Sequence, residues 1–301
     1  MPSEIIQWFP GHMAKTRRLI SENIKHVDLV LEILDARIPE SSRNPEIKRL
    51  TAGKPTLLLL NKASLADPAQ SRIWQNALSE GNTKCLLIDC VSGDGMNKIA
   101  PAIRELMSEK LARYREKGMV RNLRAMVLGI PNVGKSSLIN KISGNKKAKV
   151  ENRPGVTVDK QWVKTPYRLE LLDMPGVLWP KFEDHVVAEN LALTGAIKDN
   201  ILDVEELACV LCSRLASIDP DSFFARYSLP EELREEASGY DLLEAVGRKR
   251  GFLVKGGEVN TERTALMLLD ELRGCKIGRI SLERPRRNPA RAQESQETQE
   301  T

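Results

Sequence analysis

Asn122 to Asn140 reads NLRAMVLGIPNVGKSSLIN. An apolar run enters a glycine-bounded loop, and a segment with Leu138 and Ile139 leaves it. The loop fits G-x-x-x-x-G-K-[ST] between a predicted strand and a predicted helix, the setting that gives this motif its meaning. Glycine lets the backbone wrap a phosphate, and successive N–H groups with the helix N-terminus supply partial positive charge. Lys135 is expected to reach the β- and γ-phosphates and Ser136 to ligate Mg²⁺. Asn132, Val133, Gly134 and Ser137 belong to the same cradle.

Working outward, LLDMPG downstream places Asp173 at a strand end and Gly176 after it. A carboxylate there can hold Mg²⁺ through water, and the Gly176 N–H can meet a γ-phosphate. NRPGVTVDKQW lies between the two motifs and offers Thr157, whose hydroxyl can complete the Mg²⁺ shell. Upstream, LLLLNKASLAD (Leu57 to Asp67) runs a buried strand into an Asn-Lys pair. In a guanine site the Asn contacts the base and the Lys stem lies along it. An Asp two residues on accepts from the ring N–H and the exocyclic amine. Asn61 and Lys62 fit, but Ser64 stands where the carboxylate belongs. A hydroxyl without charge assistance accepts more weakly, at a cost of a few kcal/mol in base discrimination, roughly. Asp67, three residues further, is a candidate substitute. The loop Cys90-Val91-Ser92-Gly93 follows the next strand, where a backbone contact to the base is expected.

These motifs are out of the usual order. GTPases ordinarily run phosphate loop, switch threonine, DxxG, NKxD and final loop. Here the base loops come first, which implies a circular permutation with a helix over 97–116 joining the natural end to the natural start. Such a rearrangement is tolerated where termini lie close together on the surface.

The fold class expected is α/β: a circularly permuted P-loop domain with a mostly parallel sheet over residues 1–182. A small all-α domain over 183–282 and a disordered tail over 283–301 follow. Apolar runs such as DLVLEILDAR and KPTLLLLNK suit parallel strands covered on both faces. KQWVKTP and YRLELLDMPG read as a hairpin. Val204, Leu207, Leu211 and Leu215 mark a helix, and GYDLLEAVGRKRG and TERTALMLLDELRG mark two more, each closed by Gly. The tail, with Arg284, Arg286, Arg287 and Arg291, has no apolar residue beyond alanine.

The 301 residues carry 41% hydrophobic and 29% charged side chains, an ordinary globular composition. No run approaches a membrane span and no signal peptide is visible, so a cytoplasmic protein without a membrane partner is expected. Five cysteines argue against a disulfide framework. The Cys209–Cys212 pair lies in a predicted helix without a second CxxC and reads as core packing. Net charge is +5, gathered in two basic runs, 104–124 and 141–164, an RNA-facing surface in prospect.

WFPGHMAK, DARIPESSRNP, GIPNVGKSS, RPGVTVDKQW, DMPGVLWPKFED and LTGAIKD, in this order, closely resemble the bacterial ribosome biogenesis GTPase A family across roughly residues 5–280. The resemblance implies a GTP-hydrolysing enzyme that binds the large ribosomal subunit, its RNA and proteins, and promotes late assembly. It would be a monomer off the ribosome, with GTP or GDP as ligand, Mg²⁺, and K⁺ as activating ion. It further implies His12 as the group acting on the attacking water, since Val177 stands where many GTPases carry Gln. Asn132 would be the K⁺ ligand. Lys135, Thr157 and His12 make up the catalytic set. Ser64 departs from the family's Asp, and Met174 from its Thr. A P-loop hydrolase with relaxed base specificity acting on another RNA or protein is the alternative; an ATPase, a small-molecule kinase or an inactive RNA-binding module lies further off.

Overall fold

The computed structural model describes residues 10–144, 162–179, 182 and 184–285. The chain opens with α1 (Pro10–Asn23) and a short 3-10 turn (Ile24–His26). It continues through β1 (Leu29–Asp35), α2 (Pro45–Leu50), β2 (Thr56–Asn61), α3 (Pro68–Leu78), β3 (Thr83–Leu87), α4 (Ile99–Leu106), α5 (Ser108–Glu116), β4 (Leu123–Gly129), α6 (Lys135–Ser143), β5 (Trp162–Lys164) and β6 (Leu169–Asp173). Six strands form one sheet in the order β3-β2-β1-β4-β6-β5. All neighbours are parallel except β5, which runs antiparallel to β6.

The apolar runs explain this. Every residue of β1 and β2 is buried, as expected of strands covered on both faces. Side chains alternate between faces. Leu29, Leu31, Ile33, Leu57, Leu59 and Val127 pack with Ile103 and Ile139 from α4 and α6. Val30, Met126 and Leu172 pack on the other face with Ile20 of α1 and Ile47 of α2, and Leu58 and Leu60 with Trp74 of α3.

The helix expected over 97–116 is divided into two, α4 and α5. Buried Met107 takes ψ 15° and divides α4 from α5. The hydrogen-bond ladder runs on through it, from the Met107 N–H to the Ile103 carbonyl and from the Leu111 N–H to the Met107 carbonyl. Met107 is buried in the core, while α5 buries no side chain fully. In the sheet region two short helices went unread in the sequence, α2 and α3. Each begins with an acceptor side chain followed by proline, Asn44-Pro45 and Asp67-Pro68, and each acceptor caps a backbone N–H of the first turn.

Beyond the sheet come α7 (His185–Leu193), α8 (Val204–Ile218), α9 (Pro220–Tyr227), α10 (Leu233–Glu236), α11 (Gly239–Lys249) and α12 (Thr261–Arg273). They share a second core built on Leu211, Leu215, Phe223, Leu243 and Leu268, with Cys212 wholly buried in it. Phe223 meets Phe224 and Tyr227 edge-on at 5.8 and 5.5 Å.

The chain then turns back to the sheet. The Leu282 N–H donates to the Arg37 carbonyl at 2.9 Å. Arg279 donates to the Ala63 and Ala66 carbonyls at 2.8 and 3.0 Å. Ser281 Oγ accepts from the Asp67 N–H, and the Glu283 carbonyl accepts from Trp74 Nε1. The Glu283 carboxylate accepts from the Glu40 and Ser41 N–H groups, the Ser41 hydroxyl and Asn190. Glu283 is thus firmly packed, although a tail was expected to begin there; residues 286–301 of that tail lie outside the described residues. Among the described residues, no helix is long and apolar enough to cross a membrane.

Candidate nucleotide site

In a parallel sheet the loops at the strands' carboxyl ends share one edge, and a crevice opens where neighbouring strands send their connections to opposite sides. Here that point lies between β1 and β4. β1 connects onward to β2 and β3, while β4 connects toward β6. The topology therefore gathers on one rim the loops after β1 (Asp35 to Arg37), β2 (Asn61 to Ser64), β3 (Asp89 to Ser92), β4 (Gly129 to Gly134) and β6 (Asp173 to Gly176). A cavity of about 560 Å³ opens there, lined by Asn61, Lys62, Ser64, Asn132, Gly134 and Ser137 among others.

Asn61 joins these loops. Its Nδ2 donates to the Val133 carbonyl at 2.7 Å and its Oδ1 accepts from the Cys90 N–H at 3.0 Å. One buried amide thereby ties the end of β2 to the phosphate loop and to the loop after β3. Gly134 is required at this junction. It has φ +104°, and a Cβ there would stand 2.3 Å from Asn61 Nδ2. Gly176 also lies close to this loop, since a Cβ there would stand 3.1 and 3.2 Å from the backbone of Pro131 and Ile130. This packs the DMPG turn directly on the phosphate loop.

Lys135 Nζ donates to the Gly129 and Ile130 carbonyls at 3.0 and 2.8 Å. Burial draws its ammonium down to about 8, against the opposing pull of Asp173. Asp173 shows the complementary shift: burial raises its carboxyl, and Lys135 only partly offsets this. A carboxylate left short of positive charge suits a cation. Ser136 and Ser137 open α6 beside it.

Lys62 adopts φ +60° and pairs with Asp35 at 2.9 Å. Arg37 grips the same carboxylate through Nε and Nη2 at 2.9 and 2.8 Å. Burial works to raise the Asp35 carboxyl, but the two cations hold it well below the usual carboxylate range. Cys90 is buried, and burial pushes its thiol up to about 12, with Asp89 adding to the effect. The Val91 side chain is 89% exposed, and its N–H donates to Asp89.

Asp67 does not stand in for the missing carboxylate. It caps α3 by accepting from the Gln70 N–H at 2.7 Å. The Ser64 hydroxyl donates instead to Asp89, a residue the sequence reading passed over. Other contributors were also missed. Thr194 and Gly195, at the end of α7, and Arg273, on α12, line the cavity. Asn132 Nδ2 donates to the Gly195 carbonyl at 2.9 Å, and Arg273 caps α7 through the Ala192 and Leu193 carbonyls while pairing with Asp199. The helical region thus forms part of the cavity wall. LTGAIKD carried a signal for Thr194 and Gly195; nothing local marks Arg273 or Asp89. Thr157 and the side chain of His12 lie outside the described residues.

A family model described as a 50S ribosome-binding GTPase matches residues 124–228. The chain is 46% identical over 282 residues to a ribosome biogenesis GTPase A of Bacillus licheniformis, covering 93% of this chain and 99% of that one. It is 47% identical over 285 residues to the protein of that name from Priestia megaterium, covering 93% and 97%. The solved structure of GNP-bound YlqF from T. maritima superposes with a TM-score of 0.61 at 26% identity, covering 90% of this chain and 98% of that one. With relatives of this identity and coverage, the chain belongs to the ribosome biogenesis GTPase A family of GTP hydrolases.

Proposed function

We propose that this GTPase of ribosome biogenesis binds the large ribosomal subunit and promotes its late assembly in the cytoplasm, hydrolysing GTP to GDP and phosphate when docked there. The observation that carries the reading is Asn61, which ties base loop, phosphate loop and final loop into one guanine-nucleotide cavity. The names of the relatives supply the ribosomal context.

In this reading the phosphate loop from Asn132 to Ser137 cradles the phosphates and Lys135 bridges the outer two, while Asn61, Lys62, Ser64 and the backbone of Cys90 and Val91 take the base. Ser136, Thr157 and Asp173 hold Mg²⁺, directly or through water, and Gly176 meets the γ-phosphate. Bound Mg²⁺ neutralises phosphate charge; the half-compensated Asp173 carboxyl fits that duty. His12 acts on the attacking water, the role for which the buried Val177 is unsuited. The amide nitrogen of Asn132 is spent on Gly195, leaving Oδ1 as the atom for a K⁺ ion that stabilises developing charge. Asn132→Asp is expected to abolish K⁺ stimulation of turnover; equal stimulation in the variant rules the K⁺ site out.

The exposed cations of the first basic run, Arg104, Arg113, Arg115, Lys117 and Arg121, supply an RNA-facing surface. Residues 1–182 form the nucleotide domain and 183–282 the helical one, and the protein is monomeric off the ribosome. The reading is tested by displacing a fluorescent GDP, with Mg²⁺ and K⁺ present, by GTP or ATP, and by measuring turnover with purified large subunits. Displacement by GTP far better than by ATP, with turnover stimulated by large subunits, is the expected result. Equal competition by ATP would put an ATPase reading in its place.

A further inference from the structure

Ser64 leaves the base loop without its carboxylate, yet a carboxylate touches Ser64. Asp89, on the loop after β3, is 3% exposed and lines the same cavity as Asn61, Lys62 and Ser64. Its Oδ2 accepts the Ser64 hydroxyl. Its Oδ1 accepts from the Val91 and Ser92 N–H groups at 2.7 and 3.0 Å. Burial opposes its charge, but these bonds outweigh burial and hold the carboxyl below its ordinary range. With the hydroxyl proton committed to Asp89, the Ser64 oxygen keeps its lone pairs for another donor, and a full negative charge stands behind it.

We propose that Ser64 and Asp89 form a divided base reader. Ser64 Oγ accepts from the N–H edge of guanine, and Asp89, as the positioning residue behind it, supplies the negative charge that a single aspartate ordinarily provides. The inference rests on the guanine reading of the cavity given above. Adenine presents a ring-nitrogen lone pair, not an N–H, at that edge, so the same pair repels it. The spacing arises because β2 and β3 are parallel neighbours, with Leu60 opposite Leu87. The residues that leave their ends therefore meet, which sets the acid of one loop against the hydroxyl of the other.

The test is the ratio of GTP to ATP in displacing fluorescent GDP from the full chain. Both nucleotides use the same phosphate loop, so the ratio isolates base reading. Asp89→Asn keeps an acceptor for Val91 and Ser92 but turns the oxygen that accepts the Ser64 hydroxyl into an amide donor, removing both the charge and that acceptor. It is expected to lower the ratio about tenfold. Ser64→Ala is expected to do the same, and the double variant to lose no more than the larger single loss, because the two act as a unit. The exchange Ser64→Asp with Asp89→Ser returns the acid to the usual loop and is expected to recover the preference. An unchanged ratio in Asp89→Asn overturns the pair, as do additive losses or an exchange as poor as Asp89→Asn. If Asp89→Asn melts early, Ser64→Ala and the exchange decide alone. A wild type with no preference for GTP sinks the guanine reading itself, whereas a preferring wild type with an indifferent Asp89→Asn sinks only the divided reader.

Discussion

Asp35 shows how a single buried charge fixes a loop. It is 2% exposed and stands between Arg37 and Lys62. Breaking a buried ionic group by removing one member leaves uncompensated charge and costs about 3–5 kcal/mol. Asp35→Asn is expected to lose about that much in urea unfolding at pH 7, and to loosen Lys62 with it. The pH dependence has a definite sign. The folded carboxyl titrates below the unfolded one, so its stabilisation is fully present above the unfolded value near 4. The gap between wild type and variant should stay constant from pH 7 to about 4 and shrink below that. A gap that widened with acid would contradict the ion-pair account. Asp35 was readable as the charged end of an apolar strand. Its partnership with Lys62 was not, because that depends on β1 and β2 lying side by side in register, Asp35 opposite Asn61.

At the level of elements, legibility followed periodicity and failed where backbone geometry decided. The apolar runs of β1, β2 and β4 and the glycine loop before α6 were plain, because burial on two faces demands continuous apolar residues and phosphate wrapping demands glycine. The end of α12 was misread. Gly274 was expected to close that helix, yet it has φ −86°, and the left-handed position falls on Cys275 at φ +58°. The Lys276 N–H then reaches the Glu271 carbonyl at 2.8 Å, closing the turn one residue later. A left-handed non-glycine residue costs about 1 kcal/mol. Cys275→Gly is therefore expected to raise stability by about 0.5–1 kcal/mol, read as a higher melting temperature with nucleotide affinity unchanged. By contrast α11 closes as expected, with Gly251 at φ +69° and the Phe252 N–H on the Gly247 carbonyl.

Over the whole molecule, the returning segment from Ile277 to Glu283 is what the sequence concealed most fully. Its contacts with the sheet domain lie more than two hundred residues away in the chain, beyond any local pattern. Glu283 is its anchor. Burial raises its carboxyl, and the bonds from Ser41, Glu40 and Asn190 pull the other way. Glu283→Ala would leave those buried donors without their acceptor, at about 1–3 kcal/mol for each group that water cannot reach. The expected result is a lower unfolding midpoint, with faster hydrogen exchange at the Ser41 and Leu282 amides. Unchanged exchange at both would show that the anchor is not needed.

The same segment alters what the helical region can do. A block joined to the sheet only through the DMPG turn would swing like a pendant arm. This one is fastened a second time, by Arg279 on the carbonyls beside the base loop. Asn132 on the Gly195 carbonyl and Asn190 on the Ser41 hydroxyl hold it as well, so it has little room to swing. A tilt of the helices would bear on Ala63 in the Asn61–Ser64 loop through Arg279, and on Asn132 in the phosphate loop through Gly195. By reciprocity, a partner that gripped these helices in one tilt would shift nucleotide affinity by the same factor by which nucleotide shifted its own.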